Sequence, residues 1–268
     1  MLLTTSRRQQ ILDLVRDNGQ ARVAQLAQLL GVSQTTIRRD LRQLQNDQCL
    51  HRVHGGALAL DRADPEPPIL RRMNENAEAK KRIGAAAAAL VQDGDTVFLG
   101  SGTTTLEIAR NLLNSTNLTV VTNALTIVNA FAGRQDVTLI VIGGLFRNSE
   151  LSMIGHIAEH ALTELRADKV IMGIRAINPQ DGLTNDSLPE AVTDRAIIEL
   201  ARETVVVADH SKFGKVSTAL VAPISAIDII VTDSLAPVDQ LEAIREAGTR
   251  VIIADQMLSS FQSNRDTA

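Results

Sequence analysis

The sequence predicts an α/β protein in two parts, a small N-terminal winged helix-turn-helix followed by a larger Rossmann-like parallel α/β domain. Three observations carry that expectation. Residues 32–44, VSQTTIRRDLRQL, combine an apolar stripe with a cationic, amide-bearing face. Residues 1–60 hold eight Arg against four Asp, with no Lys or Glu, a balance of +4, whereas the rest of the chain holds 19 Lys+Arg against 27 Asp+Glu, −8. From Asp95 onward, apolar β-rich runs alternate with segments of helical spacing.

The elements follow in order. Residues 8–18 read as an amphipathic helix with Ile11, Leu12, Leu14 and Val15 on one face, stopped by Gly19. Residues 23–30 give a second short helix, and Gly31-Val32 a tight turn. Ser33 is placed to cap the third helix, where Ile37, Leu41 and Leu44 form the packing stripe. Gln34, Thr35, Thr36, Arg38, Arg39 and Arg42 then face outward. Arg pairs bidentately with guanine, Gln with adenine, and Thr offers a methyl or a hydroxyl, so such a helix suits a DNA major groove. Residues 50–60 read as two short strands around Gly55-Gly56, a wing carrying His51, Arg52 and His54. The two histidines read as phosphate-facing or solvated rather than as metal ligands. An isolated cationic helix would read as a solvated face; the preceding helices, the turn and the local positive charge weigh against that here.

Residues 61–68, DRADPEPP, place three prolines in eight positions, so 1–60 is expected as the DNA-binding domain and 61–73 as a stiff linker. Residues 74–257 form the second domain and 258–268 a disordered tail. Its first helix, residues 74–92, contains the run Ala85–Ala89 and packs through Ile83, Ala87, Leu90 and Val91. Strands are expected at 96–99, 118–122, 138–142, 169–173, 204–208, 228–232 and 250–254, with helices at 104–113, 124–132, 154–165, 189–202 and 237–247. Continuous apolar strands separated by helices imply a mostly parallel sheet covered on both faces, with ligands at the carboxyl ends of its strands. Five strand ends carry glycines, hydroxyls or cations: Ser101, Gly102, Thr103, Thr104 and Thr105; Asn123; Gly143 and Gly144, followed by Arg147; Gly173-Ile174-Arg175; and Asp209 to Lys215 with Lys212. The GSGTTT segment opens a helix and suits a phosphate, although it is neither a P-loop nor a complete dinucleotide GxGxxG. Together the five ends suggest a polyol-phosphate pocket.

Composition narrows the function classes. At 44% hydrophobic and 22% charged residues the chain is that of a soluble globular protein, and no run approaches 18 consecutive apolar residues. The N-terminus lacks a signal-peptide core, and Cys49 is the only cysteine, which agrees with a reducing cytoplasm. With no Trp or Tyr, base stacking on aromatic platforms is nearly unavailable, so duplex DNA fits better than single strands. No metal or cofactor is expected.

The motifs RRQQILDLV, LAQLLGVSQTTIRRDLRQL, LHRVHGGA, ENAEAKKRIGAAAAALVQDGDTVFLGSGTTT, VVTNAL, VIGG, DKVIMG, GLTND and ADHSKFG, in this order, resemble the DeoR family of transcriptional regulators over nearly the whole chain. The resemblance implies a winged helix-turn-helix joined to a sugar-phosphate-sensing domain similar in fold to ribose-5-phosphate isomerase and CoA transferases. It further implies a homodimer or homotetramer on double-stranded operator DNA, with a phosphorylated sugar as inducer of a sugar-use operon. Carried over, it suggests effector contacts from Ser101 to Thr105, Asn123, Gly143, Gly144 and Lys212. One departure is Gly173-Ile174-Arg175-Ala176 where the family commonly reads G-A-D-G. Arg175 stays protonated and cannot act as a general base, which weakens an enzymatic reading and makes a second phosphate or a carboxylate a candidate partner. Asp186, Glu190 and Asp194 keep a carboxylate role open. The alternatives are a sugar-phosphate isomerase-like or acyl-transferase-like enzyme with an appended DNA-binding module, and a protein-interaction wing without DNA.

Overall fold

The computed structural model describes residues 7–8, 10–11, 14–15, 20–46, 50–53, 55–59 and 67–255, in two compact units divided between Arg62 and Ala63. His54, Cys49, most of the Pro-rich stretch and the tail from residue 256 lie outside the described residues.

In the first unit, residues 7–8, 10–11 and 14–15 are helical. β1 (Gln20–Arg22), α1 (Val23–Leu29), α2 (Gln34–Asn46), β2 (Leu50–Val53) and β3 (Gly56–Ala59) follow. The strands form an antiparallel sheet in the order β1-β3-β2. Ile11, Val15, Val23, Leu26, Ile37, Leu41, Leu44, Leu50 and Ala57 close into one core. The third helix therefore packs through the Ile37/Leu41/Leu44 stripe that its sequence spacing marks. β1 is an addition to the expected elements: three residues are too few to show alternation. The wing turn is tied back to the helices, since Val23 N donates to Gly55 O at 2.9 Å.

The second unit opens with a short helix, α3 (Ile69–Arg72), inside the stretch expected as linker; Ile69 and Arg72 are both buried. α4 (Ala77–Ala88) follows. A seven-stranded sheet runs in the order β15-β14-β12-β9-β4-β5-β6, with every pairing parallel. Its strands are β4 (Thr96–Leu99), β5 (Leu118–Thr122), β6 (Val137–Val141), β9 (Ala167–Gly173), β12 (Ala201–Val207), β14 (Ile229–Thr232) and β15 (Arg250–Ile253). All seven coincide with the apolar runs of the sequence. Because side chains alternate along a strand, each face has its own core. Val97 and Leu99 pack with Ile83 and Ala87 of α4 and with Ile108 of α5 (Thr103–Asn111). Phe98, between them, packs on the other face with Leu162 of α7 (His156–Thr163) and Ala191 of α8 (Leu188–Ile198). α6 (Leu125–Phe131) and α9 (Val238–Glu246) complete the two layers.

The chain runs outward from central β4 to β5 and β6, then returns on the other side of β4 at β9 and continues outward. The order therefore reverses between β4 and β9, where the loops at the carboxyl ends diverge and leave a crevice. Two small additions border it: the hairpin β7 (Leu145–Arg147) with β8 (Ser152–Ile154), and the antiparallel sheet of β10 (Ala176–Asn178), β11 (Gly182–Asn185) and β13 (Ala219–Ala222).

α4 and α5 lie unusually close. A Cβ at Gly84 would stand 2.6 Å from Glu107 Cβ and 2.9 Å from the Glu107 carbonyl carbon. Gly84→Ala is expected to force the two helices apart and to cost about 1–3 kcal/mol, readable as a lowered urea midpoint at unchanged slope. An unchanged midpoint would show that the contact relaxes without cost.

Candidate functional site

On α2 the outward face is Gln34, Thr35, Arg38, Arg39 and Arg42, all exposed. Thr36 N donates to Ser33 Oγ at 3.2 Å, and the two hydroxyls lie 2.9 Å apart, so Ser33 caps the helix as its position suggests. Arg38 contacts Gln34 Oε1 at 3.5 Å. Arg52 and Gly55 are exposed on the wing. The residue that sequence reasoning passed over is Asp40, on the inner side of the same helix and 1% exposed. It accepts from Arg7 Nε at 2.7 Å and from Arg8 Nε at 3.2 Å. Two of the eight arginines are thereby used to anchor α2 to the first helix, leaving the outward arginines to set the local field. The signal was the lone acid within IRRDL, at i+3 from Ile37 and so at the edge of the packing stripe.

In the second unit a crevice open to solvent lies between β4 and β9. Of the expected effector residues, Ser101, Gly102, Thr103, Thr104, Asn123, Arg175 and Lys212 line it. Thr105, Gly143, Gly144 and Arg147 do not. Thr105 is fully buried and its hydroxyl donates to Gly102 O at 2.8 Å, bracing the loop from below. Gly144 sits where a Cβ would meet Ile154 O at 2.7 Å, so it lets the β7–β8 hairpin close. A side chain at neighbouring Gly143 would meet open space. Arg147 stands behind the wall, ion-paired with Glu190 and 3.8 Å from Asp186.

The crevice has two chemically different ends. At the first, Gly102 is the N-cap of α5 and supplies no side-chain oxygen, so the first-turn N–H groups face outward without an intrahelical acceptor. Lys212 and Lys80 line the same crevice. Burial lowers the Lys80 ammonium below its usual range, helped by Lys212 and Arg72 and opposed by Asp209. Burial alone would raise the Asp209 carboxyl, but hydrogen bonds from Ser211 and the charges of Lys212 and Lys80 outweigh it and hold it low. Asp209 also accepts from Asn76 Nδ2 at 3.0 Å, and Lys80 Nζ donates to Arg72 O at 2.9 Å. Backbone N–H groups, hydroxyls and two ammonium groups in one cleft are what a phosphate dianion requires.

The second end is lined by Asn123, Glu150, Arg175, Asn185, Glu190 and Asp194. Glu190 and Asp194 lie one turn apart on α8 and therefore face the same way. Arg72 pairs with Glu150, and Arg175 lies 3.5 Å from Asp186. Asp194 accepts from Asn185 Nδ2 at 2.9 Å. Burial pushes its carboxyl up to about 7, with Glu150 adding to the rise and Asn185, Arg147 and Arg195 opposing it. Arg72, Lys80, Glu150, Asn185 and Asp209 are thus wall residues that the strand-end reading did not reach.

Residues 7–63 match the DeoR-like helix-turn-helix domain, and residues 75–234 match the DeoR C terminal sensor domain. A putative aga operon transcriptional repressor of Escherichia coli O157:H7 is 36% identical over 255 residues, 94% of this chain and 95% of that protein. The glycerol-3-phosphate regulon repressor of Escherichia coli strain K12 is 34% identical over 90% of this chain and 96% of its own. Transcriptional repressor AccR of Agrobacterium fabrum is 35% identical over 86% of this chain and 90% of its own. Among solved structures, a ribose 5-phosphate isomerase A from Methanocaldococcus jannaschii superposes with a TM-score of 0.38 at 18% identity, over 52% of this chain and 55% of that one.

Proposed function

The chain belongs to the DeoR family of transcriptional regulators, and from that premise we propose that it represses a carbohydrate-utilisation operon and is released by a phosphorylated sugar bound at the β4–β9 crevice. It is a DNA-binding, effector-controlled repressor and not an enzyme, since relatives covering nine-tenths of it are repressors. The isomerase-like and acyl-transferase-like alternatives are set aside accordingly. Among the described residues no helix is long and apolar enough to cross a membrane, and a repressor of this kind acts in the cytoplasm beside the chromosome.

The single observation that carries the effector reading is the convergence, at one topological switch point, of an open helix N-terminus, the hydroxyls of Ser101, Thr103 and Thr104, and the ammonium groups of Lys80 and Lys212. In this reading the phosphate lies against the 100–104 loop and the polyol extends toward Asn123 and α8. The outward face of α2 enters a major groove, with Gln34, Thr35, Arg38 and Arg39 at base edges or phosphates. Ser33, Thr36, Arg42, Arg52, His54 and Gly55 support the helix and the backbone. Two copies in a homo-oligomer present two such helices to repeated half-sites. The effector shifts the balance of two arrangements by a coupling of about 1–3 kcal/mol.

Two measurements test this. Thermal-shift screening with phosphorylated sugars is expected to give a rise for at least one of them, because ligand at about 100 times its dissociation constant stabilises by about 2.7 kcal/mol. A flat response across hexose, pentose and triose phosphates would remove the sensing role. Arg39→Ala is expected to weaken operator binding by about 1–3 kcal/mol if the guanidinium is bidentate to guanine, with relaxed preference at that base pair. An unchanged titration would remove Arg39 from the interface.

A further inference from the structure

The two guanidinium groups that line the far end of the crevice have carboxylates, Arg72 with Glu150 and Arg175 with Asp186, and Arg147 behind the wall has Glu190. One carboxylate is left over. Asp194 lines the crevice, and among the described residues no cation lies within ion-pair distance of it; its hydrogen bond comes from the neutral amide of Asn185. A second acceptor is left open on the same side. Asn123 is 5% exposed, and its Nδ2 donates to Met153 O at 2.9 Å, which turns Oδ1 the other way. That Oδ1 is buried and has no hydrogen-bond partner, and Asn123 is one of the residues lining the crevice. The two acceptors belong to one wall. Asn123 is bonded to β8 through Met153, and Gly155 N, just past β8, donates to Thr193 Oγ1, the residue before Asp194.

The two ends therefore have opposite deficits. The 100–104 loop with Lys80 and Lys212 offers donors and cations, whereas the Asn123/Asp194 wall offers acceptors, one of them a carboxyl with no counter-ion of its own. A ligand carrying only a phosphate and hydroxyls would satisfy Asn123 Oδ1 but would bring Asp194 no counter-ion, so its ionised form stays disfavoured in the wall. A ligand with an anion at one end and an ammonium at the other satisfies both.

Resting on the effector reading above, we propose that the natural effector is a phosphorylated amino sugar, held by its phosphate at the 100–104 loop and by its ammonium at Asp194, with Asn123 Oδ1 accepting a further hydrogen from the ammonium or an adjacent hydroxyl. Asp194 is then the residue that separates amino sugars from their hydroxyl counterparts. The position of its titration near neutrality agrees with a carboxylate that waits for a cation, since arrival of the ammonium would pull it back to the charged form. Arg147 on β7, Glu150 before β8, Glu190 and Arg195 on α8, and Arg175 and Asp186 beside β10 and β11 are the charged groups around it; an amine bound there adds the missing positive charge.

Calorimetric titration of the full chain with matched pairs is the test: glucosamine 6-phosphate against glucose 6-phosphate, and galactosamine 6-phosphate against galactose 6-phosphate. The amino ester is expected to bind at least about tenfold more tightly than its hydroxyl partner in one pair or both. Asp194→Asn is expected to abolish that preference while leaving the hydroxyl ester within about threefold of its original affinity. Hydroxyl esters that bind as tightly as or more tightly than the amino esters in both pairs overturn the amino-sugar assignment and leave the sugar-phosphate reading standing. Tight binding with an unchanged preference in Asp194→Asn overturns the role of Asp194. Failure of all four esters to bind up to about 10 mM overturns the assignment and counts against the effector reading with it.

Discussion

Asp40→Ala is expected to destabilise the N-terminal unit by about 2–4 kcal/mol and to abolish operator binding at ordinary working concentrations, although the side chain faces away from any duplex. The carboxylate is 1% exposed and holds two guanidinium groups, Arg7 and Arg8, through one oxygen each. Removing it leaves two partly buried cations facing each other across a small void. Their side chains remain 21% and 31% exposed, so water screens part of the loss, and the range sits below that of a fully buried pair. A unit of this size, with nine buried core residues among those described, has little stability in reserve. The measurement is a thermal or urea melt followed on the N-terminal transition, beside a mobility-shift titration. Arg39→Ala should lose affinity with an unchanged melt, whereas Asp40→Ala should lose both together. An Asp40→Ala protein with a parental melt would show that the ion pairs contribute nothing to the fold.

Stability of the second unit is expected to fall as pH rises from about 4 to about 7, and Asp194 is the cause. In the unfolded chain its carboxyl titrates at 3.8; in the fold it titrates at about 7. Between those values the folded state holds a proton that the unfolded state has lost, so raising the pH favours unfolding until the folded group has also ionised, and the effect is level above that. Three pH units at about 1.4 kcal/mol each set an upper bound of about 4 kcal/mol, which the open crevice reduces to about 1–3. Asp194→Asn removes the titration and is expected to be more stable than the parent by that amount at pH 8, and equal to it below pH 4. Asp209 runs the opposite way: its folded value lies below the ordinary one, so its contribution is complete above the unfolded value and is lost as pH falls through the folded one. Urea melts of both proteins between pH 5 and pH 8 check the slope, and parallel curves would show that Asp194 titrates normally.

The sheet was legible because its strands are buried on both faces and read as unbroken apolar runs, of which Val205–Val207 against Ile229–Val231 is the clearest pairing. The small sheet was not. β10 and β11 are three and four residues long and are defined by the Asn178–Gly182 turn and by register, neither of which leaves a hydrophobic period. The 100–104 loop was legible for its glycines and hydroxyls. Lys80 was not, because in AEAKKR it stands beside a second lysine and local sequence offers no way to rank them. Only packing separates the two: Lys80 is 5% exposed inside the crevice wall, while Lys81 is exposed and pairs with Glu78 one turn back. Asp194 was visible as an acid but not as an uncompensated one, since that depends on how three other carboxylates divide the arginines between them.

Arg72, on the short helix α3, lies ten positions beyond the boundary between the units, and its guanidinium and carbonyl both serve the crevice wall. The segment that opens the second unit thus contributes directly to the crevice wall. Heritable change in this regulator is constrained accordingly. A substitution at Arg72, Asn76 or Lys80 changes the opening segment of the second unit and the crevice wall together, whereas one confined to α8 changes the wall and leaves that segment as it was.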